Sequence, residues 1–228
     1  MALKYEDIVA EFKRRVDADA TVKNCLKTIR TGHGTYKTAN KLAVRVGEIL
    51  GRTLKTYAPY ENINEWDLID LIPKSLGLDH RIVADACKGV QETMNAKAGL
   101  NIKFQEPKFD FDRVQGLITE LETHPEFTDI EKSFYEQLVN FSESIVDDSI
   151  RENAGFMWKA GVNTMVIRQA EYKCCEWCSR IAGAYEYDEV KDKGNDVWRR
   201  HENCRCTIDY ITEKDDGFFQ ERVNNQKK

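Results

Sequence analysis

The sequence predicts a mainly α protein: a helical part over residues 1–160, a small C-terminal α+β module of short strands over residues 161–212, and a polar tail over residues 213–228. Three observations predict it. Apolar residues recur at three- and four-residue spacing from Ile8 to Met157, the period of amphipathic helices. Only four prolines and thirteen glycines interrupt 228 residues, which leaves room for long regular elements. After Gly161 the helical period gives way to short β-like runs between two clusters of cysteine.

The first helix is expected over Tyr5–Val16, with Ile8, Val9, Phe12 and Val16 on one face. Asp19 caps a second, striped by Val22, Cys25, Leu26 and Ile29 and stopped by Gly32. Cys25 falls on the stripe and reads as core, and His33 sits in a turn between two glycines. Thr35 opens a longer helix through Leu42, Val46, Ile49, Leu50, Leu54 and Tyr57. Pro59 breaks the chain. Asn64 caps a short helix that Pro73 ends, and Asp79 caps the next, which carries Cys87 on its apolar face and stops at Gly99. His80, in that first turn, reads as neutral and structural, because the helix dipole disfavours an imidazolium there. Asn101–Gln105 suggests a short strand. Asp112 starts a helix closed by His124-Pro125, and a long helix runs from Thr128 or Asp129 to about Ala160, with Gly161 as its C-cap. Its carboxylates read as a general acidic surface with no catalytic pair. Met165–Ala170, Ala184–Tyr187 and Cys206–Ile211 are strand-like, and Cys174–Cys178 is a tight turn. Phe218-Phe219 is a candidate docking anchor in the tail.

The two cysteine clusters are Cys174-Cys175-Glu176-Trp177-Cys178 and His201-Glu202-Asn203-Cys204-Arg205-Cys206, spaced C-x2-C-x22-H-x2-C-x-C. Five of the seven cysteines fall between residues 174 and 206, which scattered core thiols would not do. Disulfides are opposed by the odd total, by an opening Met-Ala-Leu-Lys-Tyr without an apolar signal segment, and by a chain long enough to fold without staples. A zinc site is the favoured reading: zinc takes four sulfur and nitrogen ligands in a tetrahedron. The candidates are Cys175, Cys178, His201, Cys204 and Cys206, one more than the ion needs. Cys174 is adjacent to Cys175 and is set aside. Alternation along a strand lets Cys204 and Cys206 point the same way. That favours Cys175, Cys178 and Cys206, with the fourth place contested between His201 and Cys204.

Composition bounds the function. The chain is 41% hydrophobic and 32% charged, with mean hydropathy −0.59, and no apolar run approaches the roughly 18 residues of a membrane helix. Net charge is −5 but uneven: residues 1–58 carry 12 Lys/Arg against 6 Asp/Glu, and residues 59–150 carry 8 against 19. Lys37, Lys41, Arg45, Arg52 and Lys55 lie along the basic helix and are the candidate nucleic-acid contacts, which would act through counterion release. Gly32-x-Gly34-Thr35-Tyr36-Lys37 lacks the spacing and the Gly-Lys-Ser/Thr ending of a phosphate loop. A zinc deaminase would place its His-x-Glu before the cysteine pair, whereas His201 follows it. No small-molecule substrate, membrane partner or enzymatic constellation is expected.

The C-x-x-C, the Gly183 and Tyr185 that follow, and His201-x-Asn203-Cys204-Arg205-Cys206-Thr207 resemble the C-terminal signature of the phage Mu F-like minor head proteins, over about residues 145–211. That family usually has Pro after the histidine, where Glu202 stands here. The resemblance implies a low-copy minor capsid or head-morphogenesis protein of a tailed bacteriophage or prophage. Such a protein is made in the bacterial cytoplasm and sits in the virion, inside the head or near the portal. Its expected partners are the portal protein or other head proteins, its expected work is head assembly, genome packaging or DNA ejection, and its single zinc is structural. Some members carry toxin domains; the chain ends soon after Ile211, which argues against one here. The alternative is a nucleic-acid-binding zinc protein, with a phage-borne toxin or nuclease ranked below it.

Overall fold

A computed structural model describes residues 5–57, 65–124, 127–201 and 203–214. Six helices come first: α1 (Tyr5–Ala18), α2 (Ala20–Arg30), α3 (Tyr36–Tyr57), α4 (Glu65–Lys97), α5 (Phe111–Thr123) and α6 (Phe127–Lys159). The C-terminal part follows as β1 (Thr164–Gln169), α7 (Glu176–Arg180), β2 (Gly183–Glu186), α8 (Tyr187–Val190), a 3-10 turn (Asp196–Trp198) and β3 (Thr207–Thr212). The mainly helical fold with a small C-terminal sheet is the expected one. The expected Pro59 break, Asn64 cap, Pro125 closure, Glu202 and the tail with Phe218-Phe219 lie outside the described residues.

Local chemistry fixes most helix ends. The Asp19 carboxylate accepts from the backbone N–H groups of Thr21 and Val22 at 2.9 and 3.1 Å. Gly32, Gly99 and Gly161 all take positive φ, at 75°, 68° and 81°. At each, the glycine N–H and the next N–H turn back onto the last turn of helix. At α6 these bonds are Gly161 to Trp158 and Val162 to Met157, at 3.0 and 3.1 Å, which satisfies carbonyls the helix leaves open.

Five expectations are corrected. Pro73 lies inside α4, and Asp79 lies in mid-helix with its side chain fully buried. A proline in a helix interior costs about 3 kcal/mol. Leu71, Ile72 and Leu76, all buried beside it, each contribute about 1.5–3 kcal/mol when the helix continues. Asn101–Gln105 is extended but joins no sheet, because side chains take its backbone bonds. The Asn153 amide both accepts from the Gln105 N–H and donates to the Gln105 carbonyl, each at 2.9 Å, and Asn95 donates to the Ile102 carbonyl at 2.8 Å. α5 begins at Phe111 because Asp110, not Asp112, caps it, accepting from the Arg113 N–H at 3.1 Å. The Cys174–Cys178 turn contains the short helix α7.

The sheet is antiparallel in the order β2-β1-β3, with Val166 opposite both Tyr185 and Tyr210. β1 is buried along nearly its whole length, whereas β3 alternates, with Ile208, Tyr210 and Thr212 inward. One apolar core runs from Phe12 and Leu42 through Leu138 and Ile150 to Val166, Trp198, Ile208 and Tyr210. Cys25 and Cys87 are buried in it, as expected. A buried hydrogen-bonded knot ties the sheet to the helices: Tyr36 Oη donates to Gln91 Oε1 at 2.7 Å, and Gln91 Nε2 donates to Tyr210 Oη at 2.6 Å. α3 and α6 approach closely at Gly47, where an added Cβ would lie 2.7 Å from both Ser142 Oγ and the Val139 Cα.

Candidate metal centre

The fold gathers all five candidate ligands. Cys175 caps the N-terminus of α7, and its sulfur accepts from the Cys178 N–H at 3.4 Å. This C-x2-C geometry turns both sulfurs to one side. The opposite wall is the loop before β3. There His201 Nε2 lies 3.2 Å from Cys175 Sγ and 3.0 Å from Cys178 Sγ, and Cys204 Sγ lies 3.7 Å from Cys178 Sγ. Two overlapping groups can hold a metal ion: Cys175, Cys178 and His201, and Cys178, Cys204 and Cys206. Within each, the donor atoms lie within 4.8 Å of one another. Cys178 belongs to both, and His201 stands in one of them, although its place was contested. Cys174 packs beside the cluster without entering either group.

The donor set fits a zinc-like ion. Ligands about 2.3 Å from a tetrahedral centre stand roughly 3.8 Å apart, and the Cys178–Cys204 sulfur separation is 3.7 Å. Without positive charge between them the thiols disfavour one another. Burial pushes Cys178 up to about 11, and the hydrogen bond that Cys204 donates to Cys206, followed by burial, raises Cys204 well above the usual thiol range, while the same bond lowers Cys206. The Cys178 N–H instead lowers Cys175. Trp177 closes one side, edge-on to His201 with ring centres 5.6 Å apart.

The loop that carries the second ligand group is clasped onto α6. Arg200 is bidentate to Asp147 at 2.6 and 2.9 Å and reaches Glu143 at 3.0 Å, with all three side chains at least 95% buried. The same guanidinium donates to the Cys206 carbonyl at 2.9 Å. Arg205 spans Glu136 and Glu143 at 2.9 and 3.3 Å. Asn140 Nδ2 donates to the His201 carbonyl at 3.2 Å. Asn203 holds φ at 60°, a left-handed conformation that asparagine tolerates better than most residues, and its amide nitrogen faces the Glu136 carboxylate at 3.1 Å. Glu136, Glu143 and Asp147 are therefore no general acidic surface, which corrects the sequence reading. Burial raises Glu143 even so, while Arg200 and Arg205 oppose the rise.

The candidate nucleic-acid contacts do not form one free basic stripe. Arg45 pairs with Asp19 at 2.7 Å and Glu48 at 2.9 Å, and Arg52 pairs with Glu48 at 3.4 Å. Lys55 pairs with Glu131 at 2.7 Å. Lys37 and Lys41 are exposed and line a shallow groove with Thr21, Asn24 and Thr28. No helix among the described residues is long and apolar enough to cross a membrane. Comparison of the chain with protein-family models, with curated proteins and with solved structures finds no match.

Proposed function

We propose that Cys175, Cys178 and His201, with Cys204 or Cys206, bind one structural zinc, and that the chain serves as a minor head protein of a tailed bacteriophage or prophage. The observation that carries the reading is the convergence of the C-x2-C and His-x-Asn-Cys-Arg-Cys clusters on two donor groups that share Cys178. The signature residues outside those groups have work of their own in this reading: Asn203 turns the loop, and Arg205 holds it to α6. Bound zinc supplies a four-way crosslink between α7 and the loop before β3. The protein's own contribution is to hold those donors in place, through the α7 cap on one side and the Arg200 clasp on the other. A donor set of cysteines and one histidine, with no ligand place given over to water, suits a structural ion better than a catalytic one.

The protein then acts as a scaffold inside the head or near the portal, in assembly, packaging or ejection, and its partner is the portal protein or another head protein. Two measurements test this. Mass spectrometry of purified virions from the source phage or induced prophage should detect the chain at low copy. Co-purification with the portal protein should survive chelator-free washing. Absence from virions and from portal-containing assembly intermediates alike would sink the proposal, and DNA affinity that falls steeply with salt would replace it with a nucleic-acid role.

A further inference from the structure

Arg168 is among the largest fully buried side chains in the molecule, 2% exposed, in the middle of the sheet. It projects from β1, and no carboxylate among the described residues pairs with it. Nη1 donates to the Val197 carbonyl at 2.5 Å, and Nη2 donates to Cys204 Sγ at 3.5 Å. The guanidinium lies 5.7 Å from the centre of the Trp177 ring, and Nε is buried without a partner. A buried guanidinium needs a counter-charge, since an uncompensated buried ion costs several kcal/mol. Its contacts offer one: the sulfur of Cys204, once it is a thiolate.

We infer that Arg168 is the counter-ion of a metal-bound Cys204 thiolate, and that it thereby selects Cys204 over Cys206 as the fourth ligand. This rests on the zinc reading above. A divalent ion on three thiolates and one neutral imidazole leaves one net negative charge, which a single guanidinium cancels. Four thiolates without the histidine would leave two, and a single Arg168 would not balance them. The geometry agrees. Cys204 Sγ stands 3.7 Å from Cys178 Sγ, near the tetrahedral edge, and it is the sulfur to which Arg168 donates. Trp177 sits against both Arg168 and His201, so the same aromatic ring braces the counter-ion and the imidazole ligand. Arg168 is thus a positioning residue, acting on the ion through a ligand it hydrogen-bonds, as the outer partners of metal sites do.

The test uses the full chain and its variants Arg168→Met, Arg168→Lys, Cys204→Ser, Cys206→Ser and Arg168→Met/Cys204→Ser. Zinc affinity is read by competition with a chromophoric chelator, and the number of thiolates on the ion by the charge-transfer bands of cobalt(II)-loaded protein. Arg168→Met is expected to weaken zinc binding about 10–100-fold, and Arg168→Lys, which keeps the charge, to stay within about tenfold of the parent. Cys204→Ser should lose a thiolate band and Cys206→Ser should keep the parent spectrum. Adding Arg168→Met to Cys204→Ser should cost less than about twofold more, because coupled residues are not additive. If Arg168→Met loses its far-ultraviolet helix signal, Arg168→Lys decides alone. The inference is overturned if Arg168→Met binds zinc as the parent does, if Arg168→Lys is as weak as Arg168→Met, or if Cys206→Ser is the variant that loses the band. A parent chain that binds neither zinc nor cobalt overturns the zinc reading itself, a separable result.

Discussion

Arg200 and Arg168 are both buried arginines in the C-terminal part of the chain, and they are satisfied in opposite ways. Arg200 meets Asp147 and Glu143 on α6, so its charge is balanced by protein alone. Arg168 meets a carbonyl and a cysteine sulfur, so its charge is balanced only when that sulfur is ionised. The difference separates two kinds of attachment. The clasp between the loop before β3 and α6 is complete within the protein, whereas the thiol cluster is a set of donors that, in the proposed reading, a cation would join.

Breaking the clasp should give the largest effect. Arg200→Met strands Asp147 in the core and leaves Glu143 to Arg205 and Asn40, and removing one partner of a buried ion pair costs about 3–5 kcal/mol. Denaturant unfolding should show most of that loss already with chelator present. A loss seen only with zinc would merge the two attachments into one.

Asp79 sharpens the comparison, as a buried carboxylate that no cation among the described residues pairs with. It accepts from Ser142 Oγ at 2.7 Å, its Oδ1 has no partner, and burial pushes it up to about 7. The folded chain therefore keeps a proton that the unfolded chain, with an ordinary carboxylate near 4, gives up between about pH 4 and 7. Stability should fall as pH rises through that window and level off above it. Asp79→Asn should match the parent near pH 4 and exceed it by about 1–3 kcal/mol at pH 8. A variant that follows the parent's pH profile would show that Asp79 ionises freely.

Gly47→Ala tests the close approach of α3 and α6 on which the clasp stands. The new Cβ meets the Val139 backbone, which cannot swing away, so a loss of about 1–3 kcal/mol is expected in thermal or denaturant unfolding. A neutral outcome would mean that the two helices slide apart easily. Cys174→Ser should be the smallest change, within about 0.5 kcal/mol and without loss of metal, because Cys174 enters neither donor group.

These regions also differ in how legible they were. Helix ends were readable where one residue does the work: Asp19 as a cap, and Gly32, Gly99 and Gly161 as left-handed stops. The candidate donors were readable because soft donors cluster in sequence. The clasp was not, since Glu143 and Asp147 look like any acidic helix positions until Arg200, more than fifty residues away, is placed beside them. Pro73 misled because the burial of Leu71, Ile72 and Leu76 outweighs its local cost. Asn101–Gln105 misled because backbone bonds that ask for a strand are met by Asn153 and Asn95 side chains. Arg168 was passed over as one more strand residue. Its signal, an arginine in an otherwise apolar run next to the first cysteine cluster, was present in Met165-Val166-Ile167-Arg168.

The central claim is that the gathered cysteines and histidine hold one ion. Elemental analysis of the purified full chain after metal-free dialysis measures it most directly, with Cys178→Ser and Cys174→Ser beside it, because Cys178 belongs to both donor groups and Cys174 to neither. One zinc per chain in the parent and in Cys174→Ser, and none in Cys178→Ser, is the expected result. No zinc in the parent, purified with its thiols reduced, would contradict it.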